Sequence, residues 1–342
     1  MSETTQDQPR PTSRRSPEPG SSEGSADGPV GDAAPTAERG RVAAVQQRLL
    51  KEATVEIRPR RVRLDGGPTL QVLETGDGEP LVLLHGSGNS AVSMLPLIER
   101  LHGRRVLAVD RPGHGLSEPL AAGSGNPRHT AVEVLTRLLD ALELERVDLL
   151  GNSTGGFWTL WMALDRPHRV GRIVLVGATP LLPGTQPPMP LRLMTTPGVG
   201  NLMGRVMPEP SPASVKKMMA TMGEGDTIAR YPGLIDAFVA AGSDPIANNA
   251  TQQELRAVIR GLRGFRPEFR FREADLRRVQ HPVLLVWGDR DPVGDVHTAR
   301  QAAALLPNSH LEMLPTGHAP FWGAPARTSE LVSRFLDDKP TT

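Results

Sequence analysis

Five short stretches, PLVLLHG, RVLAVDR, VDLLGNS, RIVLVGA and PVLLVWGD, are almost unbroken runs of apolar residues. A strand with one wet face alternates apolar and polar residues, whereas a strand covered on both faces does not. These runs therefore predict strands inside a sheet that is covered on both sides. Between most of them lie segments with apolar residues at three- and four-residue steps, clearest in HTAVEVLTRLLDALEL. That spacing marks one face of a helix. Strand–helix alternation of this kind predicts an α/β fold, a parallel sheet with helices on both faces. VEIRPRRVRL and TLQVLETGD come first, parted by the turn signal Asp65-Gly66-Gly67-Pro68, and they alternate as exposed antiparallel strands do. SHLEMLPTG and ARTSELVSRFLDD add a last strand and a closing helix. The expectation is a mostly parallel, eight-stranded sheet.

Two regions fall outside this pattern. Residues 1–40 are Pro, Ser, Gly, Thr and charge. They hold too few apolar side chains to offset ordering entropy, so a disordered tail is expected. Arg14-Arg15 lacks the apolar stretch that an export signal places after it. Residues 180–275 contain no buried-strand pattern. They start Pro-rich and hold seven of the 11 methionines: Met189, Met194, Met203, Met207, Met218, Met219 and Met222. A helical cap subdomain is expected there, with the core formed by 41–179 and 276–342. Ligands of open α/β sheets bind beyond the carboxyl ends of the strands, where such an insertion would roof them. Methionine suits an adaptable apolar pocket, and equally a small core with gaps to fill.

VDLLGNSTGGFW puts Ser153 at the tip of a buried strand, with Gly151 and Gly155 on either side and a helix behind. This is the pattern of a nucleophile elbow, a turn so tight that its flanks must be glycine. A serine hydroxyl needs a base to take its proton, and the base needs a carboxylate to orient it. In this architecture the acid and then the histidine follow the serine in the chain. VLLVWGDRDP ends in Asp289 and Asp291, and LEMLPTGHAPFW ends in His318. Asp291 is preferred because the acid must reach back from the loop; Asp289 is second and Asp295 third. His281, His297 and His310 are expected at the surface. The oxyanion needs two N–H donors, Thr154 after the nucleophile and one from the loop His85-Gly86-Ser87-Gly88. Ser87 is assigned, with Gly86 as the alternative. Gly86, Asn152, Met194, Met218 and Phe321 are set against the substrate. His114, with Asp110 and Arg111, is read as ordering its loop. Trp158 and Trp161 are read as core, and as pocket wall in second place.

Charge and composition exclude other classes. Lys+Arg 39 against Asp+Glu 38 leaves no surplus of basic residues for nucleic acid or an anionic membrane. No apolar stretch approaches the roughly 20 residues of a membrane helix. With no cysteine, there is no disulfide, thiolate metal site or cysteine nucleophile, a composition suited to the reducing cytoplasm. No metal-ligand spacing is present. Gly86-Ser87-Gly88-Asn89-Ser90-Ala91 mimics a dinucleotide fingerprint, with Asp110 ending the next strand. His85 and two antiparallel strands precede it, and a nicotinamide reading leaves Ser153, Asp291 and His318 without a role.

HGSG, DRPGHGLS, GNSTGG, WGDRDP and GHAPF, in that order over about residues 55–337, resemble the α/β-hydrolase fold enzymes. The resemblance implies a Ser-His-Asp hydrolase with an acyl-enzyme intermediate, a helical cap and no cofactor. An ester or related acyl bond in a small, mainly apolar molecule is the first expectation. Asn152 beside the serine also resembles the branch that cleaves carbon–carbon bonds in vinylogous diketones. That branch often has Trp after the histidine, where this chain has Ala319. A receptor built on a hydrolase fold is the reading from another class.

Overall fold

A computed structural model describes residues 36–121, 125–200, 202 and 209–338. Met203, Met207 and residues 1–35 of the expected tail lie outside the described residues. The sheet comprises β1 (Arg58–Arg63), β2 (Thr69–Thr75), β3 (Glu79–Leu84), β4 (Arg104–Val109), β5 (Val147–Asn152), β6 (Val170–Val176), β7 (Val283–Gly288) and β8 (Ser309–Leu314). Its spatial order is β1-β2-β4-β3-β5-β6-β7-β8. β1 and β2 pair antiparallel, as does β2 with β4, and every other pairing is parallel.

The unbroken apolar runs have a simple cause. Side chains alternate across a strand, so continuous apolarity means that both faces are covered. Val82, Leu84, Leu149, Ile173, Leu175, Val283 and Leu285 enter one core cluster. Leu81, Leu83, Leu150, Val174, Val176, Leu284 and Val286 enter the other. The first cluster is closed by α2 (Pro127–Ala141), α3 (Thr154–Asp165) and, later in the chain, residues of the helix Val296–Leu305. The second is closed by residues 91–98 and the terminal helix Pro325–Asp337. Each buried Leu, Ile or Val contributes about 1.5–3 kcal/mol relative to exposure.

The regular structure among the described residues of 180–275 is mainly helical, including α4 (Met189–Thr195), α5 (Pro212–Thr221), α6 (Pro232–Ser243) and α7 (Pro245–Val258). Among the described residues there, extended pairing is limited to one bridge, Ile259 with Phe265. The Ser211–Ser214 capping box starts α5, and the Asp244 carboxylate starts α7 by accepting from Ile246 N–H at 3.0 Å.

One boundary differs from expectation. Residues 37–40, assigned to the tail, form the first turn of α1 (Ala37–Glu52). Val42, Gln46 and Leu49 are its buried residues. Leu49 packs so closely on α6 that a Cβ on Gly233 would come within 2.6 Å of its Cδ2. Arg39 pairs with the buried Asp244 at 2.9 Å. Packing against the cap, which no local pattern reports, stabilises this polar helix.

Candidate active site

Parallel strands bring their carboxyl ends to one edge, and the loops after β3, β5, β7 and β8 meet there. At the end of β5, Ser153 has φ 53 and ψ −116, a positive φ that costs a non-glycine residue about 1–3 kcal/mol. A Cβ on Gly151 would lie 2.5 Å from Gly155 O, and one on Gly155 would overlap Leu84 O. Backbone crosses backbone at both points, and only glycine fits. Residues 149–152 and 154–164 are buried, while Ser153 is partly exposed. The turn thus lifts this hydroxyl above the N-terminus of α3.

Past β8, His318 Nδ1 meets Asp291 Oδ2 at 2.8 Å. The same oxygen accepts from Ala178 N–H at 2.8 Å, and Oδ1 accepts from Val293 N–H at 2.9 Å. Asp291 is therefore locked as an acceptor, which places the imidazole proton on Nδ1 and leaves Nε2 to receive another. Burial pulls the His318 pKa down, but the carboxylates of Asp291 and Glu224 outweigh it and the net shift is upward. Asp289 is half exposed beside Arg290, and Asp295 caps a helix by accepting from Thr298 N–H. Asn152 Nδ2 donates to His318 O at 3.3 Å, so the elbow and the histidine loop touch. Among the described residues Ser153 Oγ makes no hydrogen bond; such contacts often tighten only once a substrate binds.

The loop after β3 closes the third side. A Cβ on Gly86 would sit 3.2 Å from Ser153 Cβ. Ser87 Oγ donates to Glu254 Oε2 at 2.6 Å, from cap helix α7. Glu254 is ion-paired with Arg111, which is fully buried. Arg111 also donates to Thr154 Oγ1 at 3.0 Å and to His85 O at 3.0 Å, and its guanidinium stands 5.2 Å from the Trp158 ring centroid. One arginine thus links both expected oxyanion-hole residues to the cap. Burial pushes the Glu254 pKa up, and Arg111, with His114 and the Ser87 hydroxyl, more than reverses it. Glu254→Ala is expected to lower the unfolding free energy by roughly 3–5 kcal/mol, because Arg111 would remain as a buried, unpaired cation. Urea unfolding checks this, and a loss below about 1 kcal/mol would contradict it.

Residues 79–325 match the family model for the alpha/beta hydrolase fold. The chain belongs to this family. It is 31% identical over 272 residues to a 2-hydroxy-6-oxononadienedioate/2-hydroxy-6-oxononatrienedioate hydrolase of Cupriavidus pinatubonensis, covering 77% of this chain and 89% of that one. Carboxylesterase CesB of Bacillus subtilis superposes with a TM-score of 0.70 at 22% identity, over 88% of this chain and 98% of its own. The 2-hydroxy-6-oxo-6-phenylhexa-2,4-dienoate hydrolase of Rhodococcus sp. strain RHA1 superposes with a TM-score of 0.64 at 20% identity, over 83% and 100%.

In this α/β-hydrolase the DRPGHGLS segment is buried structure. Asp110 accepts from Ala91 N–H and Leu116 N–H at 2.7 and 2.9 Å. His85 Nε2 accepts from Arg111 N–H at 3.0 Å, so its proton sits on Nδ1, facing Gly86 O. Burial, and then Arg111, lowers the pKa of both histidines, His114 to about 4 and His85 well below the ordinary 6.5. The unfolded chain binds these protons near 6.5, so their contribution is complete above that pH and is lost as pH falls from 6.5 toward 4. Each supplies a slope approaching about 1.4 kcal/mol per pH unit. Asp110 opposes one of them: burial raises its pKa from 3.8 to about 6. Its contribution is complete below 3.8 and is lost as pH rises through 6. The expected result is that the wild type loses more unfolding free energy than His114→Gln between about pH 6.5 and about pH 4.5. Urea unfolding of both proteins at both pH values checks it, and an equal change in the two would contradict it.

Several expected substrate contacts are placed otherwise. Asn152 is buried and commits its amide to Val176 O and His318 O, so it braces the backbone. Met218 is 50% exposed, on the outer side of α5, while Val215 and Met219 face inward. Phe321 is fully buried beside Trp322 in the core. Met194 is partly buried against the first core cluster. His297 and His310 are exposed, but His281 is half-buried. Trp161 is core and also edges a cavity of about 280 Å³ with Arg128, Phe269 and Phe271, which includes none of Ser153, His318 and Asp291. The fingerprint-like loop belongs to the site: Gly86 abuts Ser153, and Gly88 faces Thr251 of the cap. Sequence reasoning missed Glu254, an ordinary glutamate in helical sequence, and Glu224, in a glycine-flanked turn between cap helices, neither with a motif around it. Among the described residues no helix is long and apolar enough to cross a membrane, and no cluster of three His, Cys, Asp or Glu could hold a metal ion.

Proposed function

We propose that this chain is a Ser153–His318–Asp291 hydrolase that cleaves the carbon–carbon bond beside a ketone in a small, unsaturated 2-hydroxy-6-oxo acid. The observation that carries the reading is 31% identity across 89% of a relative named for such a substrate. Asn152 at the elbow, in the pattern of that branch, adds to it. Ester hydrolysis, the first expectation from sequence, uses the same groups, and its structural support is a likeness at 22% identity that speaks to the fold.

Ser153 Oγ attacks the ketone carbon while His318 Nε2 takes its proton. Asp291 keeps the imidazolium oriented and offsets its charge. The N–H groups of Ser87 and Thr154 receive the oxyanion. With the substrate's 2-enol in its keto form, its hydroxyl proton moved to C5, collapse breaks the C5–C6 bond. The electron pair left on C5, delocalised to the C2 oxygen as a dienolate, takes the proton from His318. Water, deprotonated by His318, then releases the acyl group as a carboxylic acid and restores Ser153. The test compares kcat/KM on a 2-hydroxy-6-oxo-dienoate with that on a p-nitrophenyl ester series. A higher value on the dienoate is expected. A higher value on the esters would overturn the carbon–carbon assignment and leave the serine mechanism in place.

A further inference from the structure

The cap reaches into the histidine loop at a point that the reaction above leaves unused. His318 N–H donates to Met222 O at 3.0 Å, and Ala319 N–H donates to Glu224 Oε1 at 2.9 Å. Between these two cap residues Gly223 has φ +74, and a Cβ on it would lie 2.8 Å from Arg290 O and 3.0 Å from Gly317 Cα. The cap chain is thus pressed against both the acid loop and the histidine loop. Glu224 itself is fully buried, and among the described residues its Oε2 has no hydrogen-bond partner of good geometry, with Thr227 and the Gly317 N–H as its polar neighbours. Leaving a buried polar atom unmatched costs roughly 1–3 kcal/mol, so packing alone does not account for a carboxyl here.

We propose that Glu224 is a positioning residue: it is the grip by which the cap holds the His318 loop in register with Asp291, and a second negative charge acting on the imidazole. The inference rests on His318 being the base of the proposed hydrolase. Two carboxylates act on that ring, Asp291 through its bond to Nδ1 and Glu224 through space from the Ala319 N–H that it holds, and both raise its pKa against burial. Burial raises the pKa of Glu224, with the Ala319 N–H, Thr227, His318 and the Gly317 N–H acting in the other direction. The Tyr231 hydroxyl also lies within the field of Glu224. Removing the Glu224 charge lowers the His318 pKa, so the base stays neutral to lower pH.

The test is the second-order rate of Ser153 labelling by a fluorophosphonate, measured against pH on the full chain. Labelling of the wild type is the first requirement, and its absence would sink the serine mechanism rather than the role of Glu224. Glu224→Gln keeps an oxygen for Ala319 N–H but loses the charge. Its plateau rate should stay near wild type while its acid limb moves down by about half a pH unit or more. Glu224→Ala loses both, and its plateau should fall about tenfold to a hundredfold, as for a displaced catalytic group. An unmoved acid limb in Glu224→Gln overturns the proposal. So does a wild-type plateau in Glu224→Ala, or an equal loss of plateau in both variants. Should Glu224→Ala fail to fold by circular dichroism, the acid limb of Glu224→Gln decides alone.

Discussion

Ser153→Ala is expected to lower kcat by about a millionfold, the loss seen when the nucleophile of a serine–histidine pair is removed. The size follows from the geometry. The turn at Ser153 tolerates a positive φ, excludes side chains at Gly151 and Gly155, and leaves one partly exposed hydroxyl in a buried surround. That hydroxyl alone is suited to covalent attack there, since Thr154 is buried and its Oγ1 is engaged by Arg111. The same site carries a stability cost. Ser153→Gly should also be inactive, yet more stable than Ser153→Ala by about 1 kcal/mol, because only glycine adopts this φ freely. Steady-state kinetics and urea unfolding of both variants check the pair of expectations. Turnover within tenfold of wild type in either variant would contradict the nucleophile assignment.

Asp291→Asn should lower kcat by about ten-thousandfold, with little change in KM. Every oxygen of Asp291 accepts a hydrogen bond: Oδ2 from His318 Nδ1 and Ala178 N–H, Oδ1 from Val293 N–H. An asparagine must place its NH2 toward one of these donors. Facing Val293, it meets an N–H head-on. Facing the imidazole, it favours the tautomer with the proton on Nε2, which cannot take the proton of Ser153. Asp289→Asn is the control, because that side chain is half exposed beside Arg290; its kcat should stay within about twofold of wild type. Comparable losses in both variants would mean that Asp291 does not act through His318.

The order Ser153, Asp291, His318 was legible because each follows an apolar strand run, and the parallel sheet brings those strand ends to one edge. The fold was legible for the same reason: residues such as Leu83 and Leu84 are both buried, on opposite faces, and leave an unbroken run. What stayed hidden depends on tertiary contacts. α1 reads as an extension of the polar tail, since Leu49 and Arg39 find their partners only in the folded chain, Leu49 on α6 and Arg39 at Asp244 and Ser117 O. Glu254 sits in amphipathic cap sequence and Glu224 in a glycine-flanked turn of the cap, and only the closure of the cap over Ala319 and Arg111 buries them. Met218 and Phe321 fail in opposite directions. Apolar character suggested a pocket, but the rotation of α5 turns Met218 to solvent, and Phe321 fills the core beneath the histidine loop.

The most direct measurement of the central claim is the intact mass of wild type and Ser153→Ala after exposure to a fluorophosphonate. An activated serine requires the elbow, the His318–Asp291 pair and the oxyanion donors to act together. The expected result is a single adduct on the wild type and none on Ser153→Ala. An unmodified wild type, or equal labelling of the two proteins, would contradict the account.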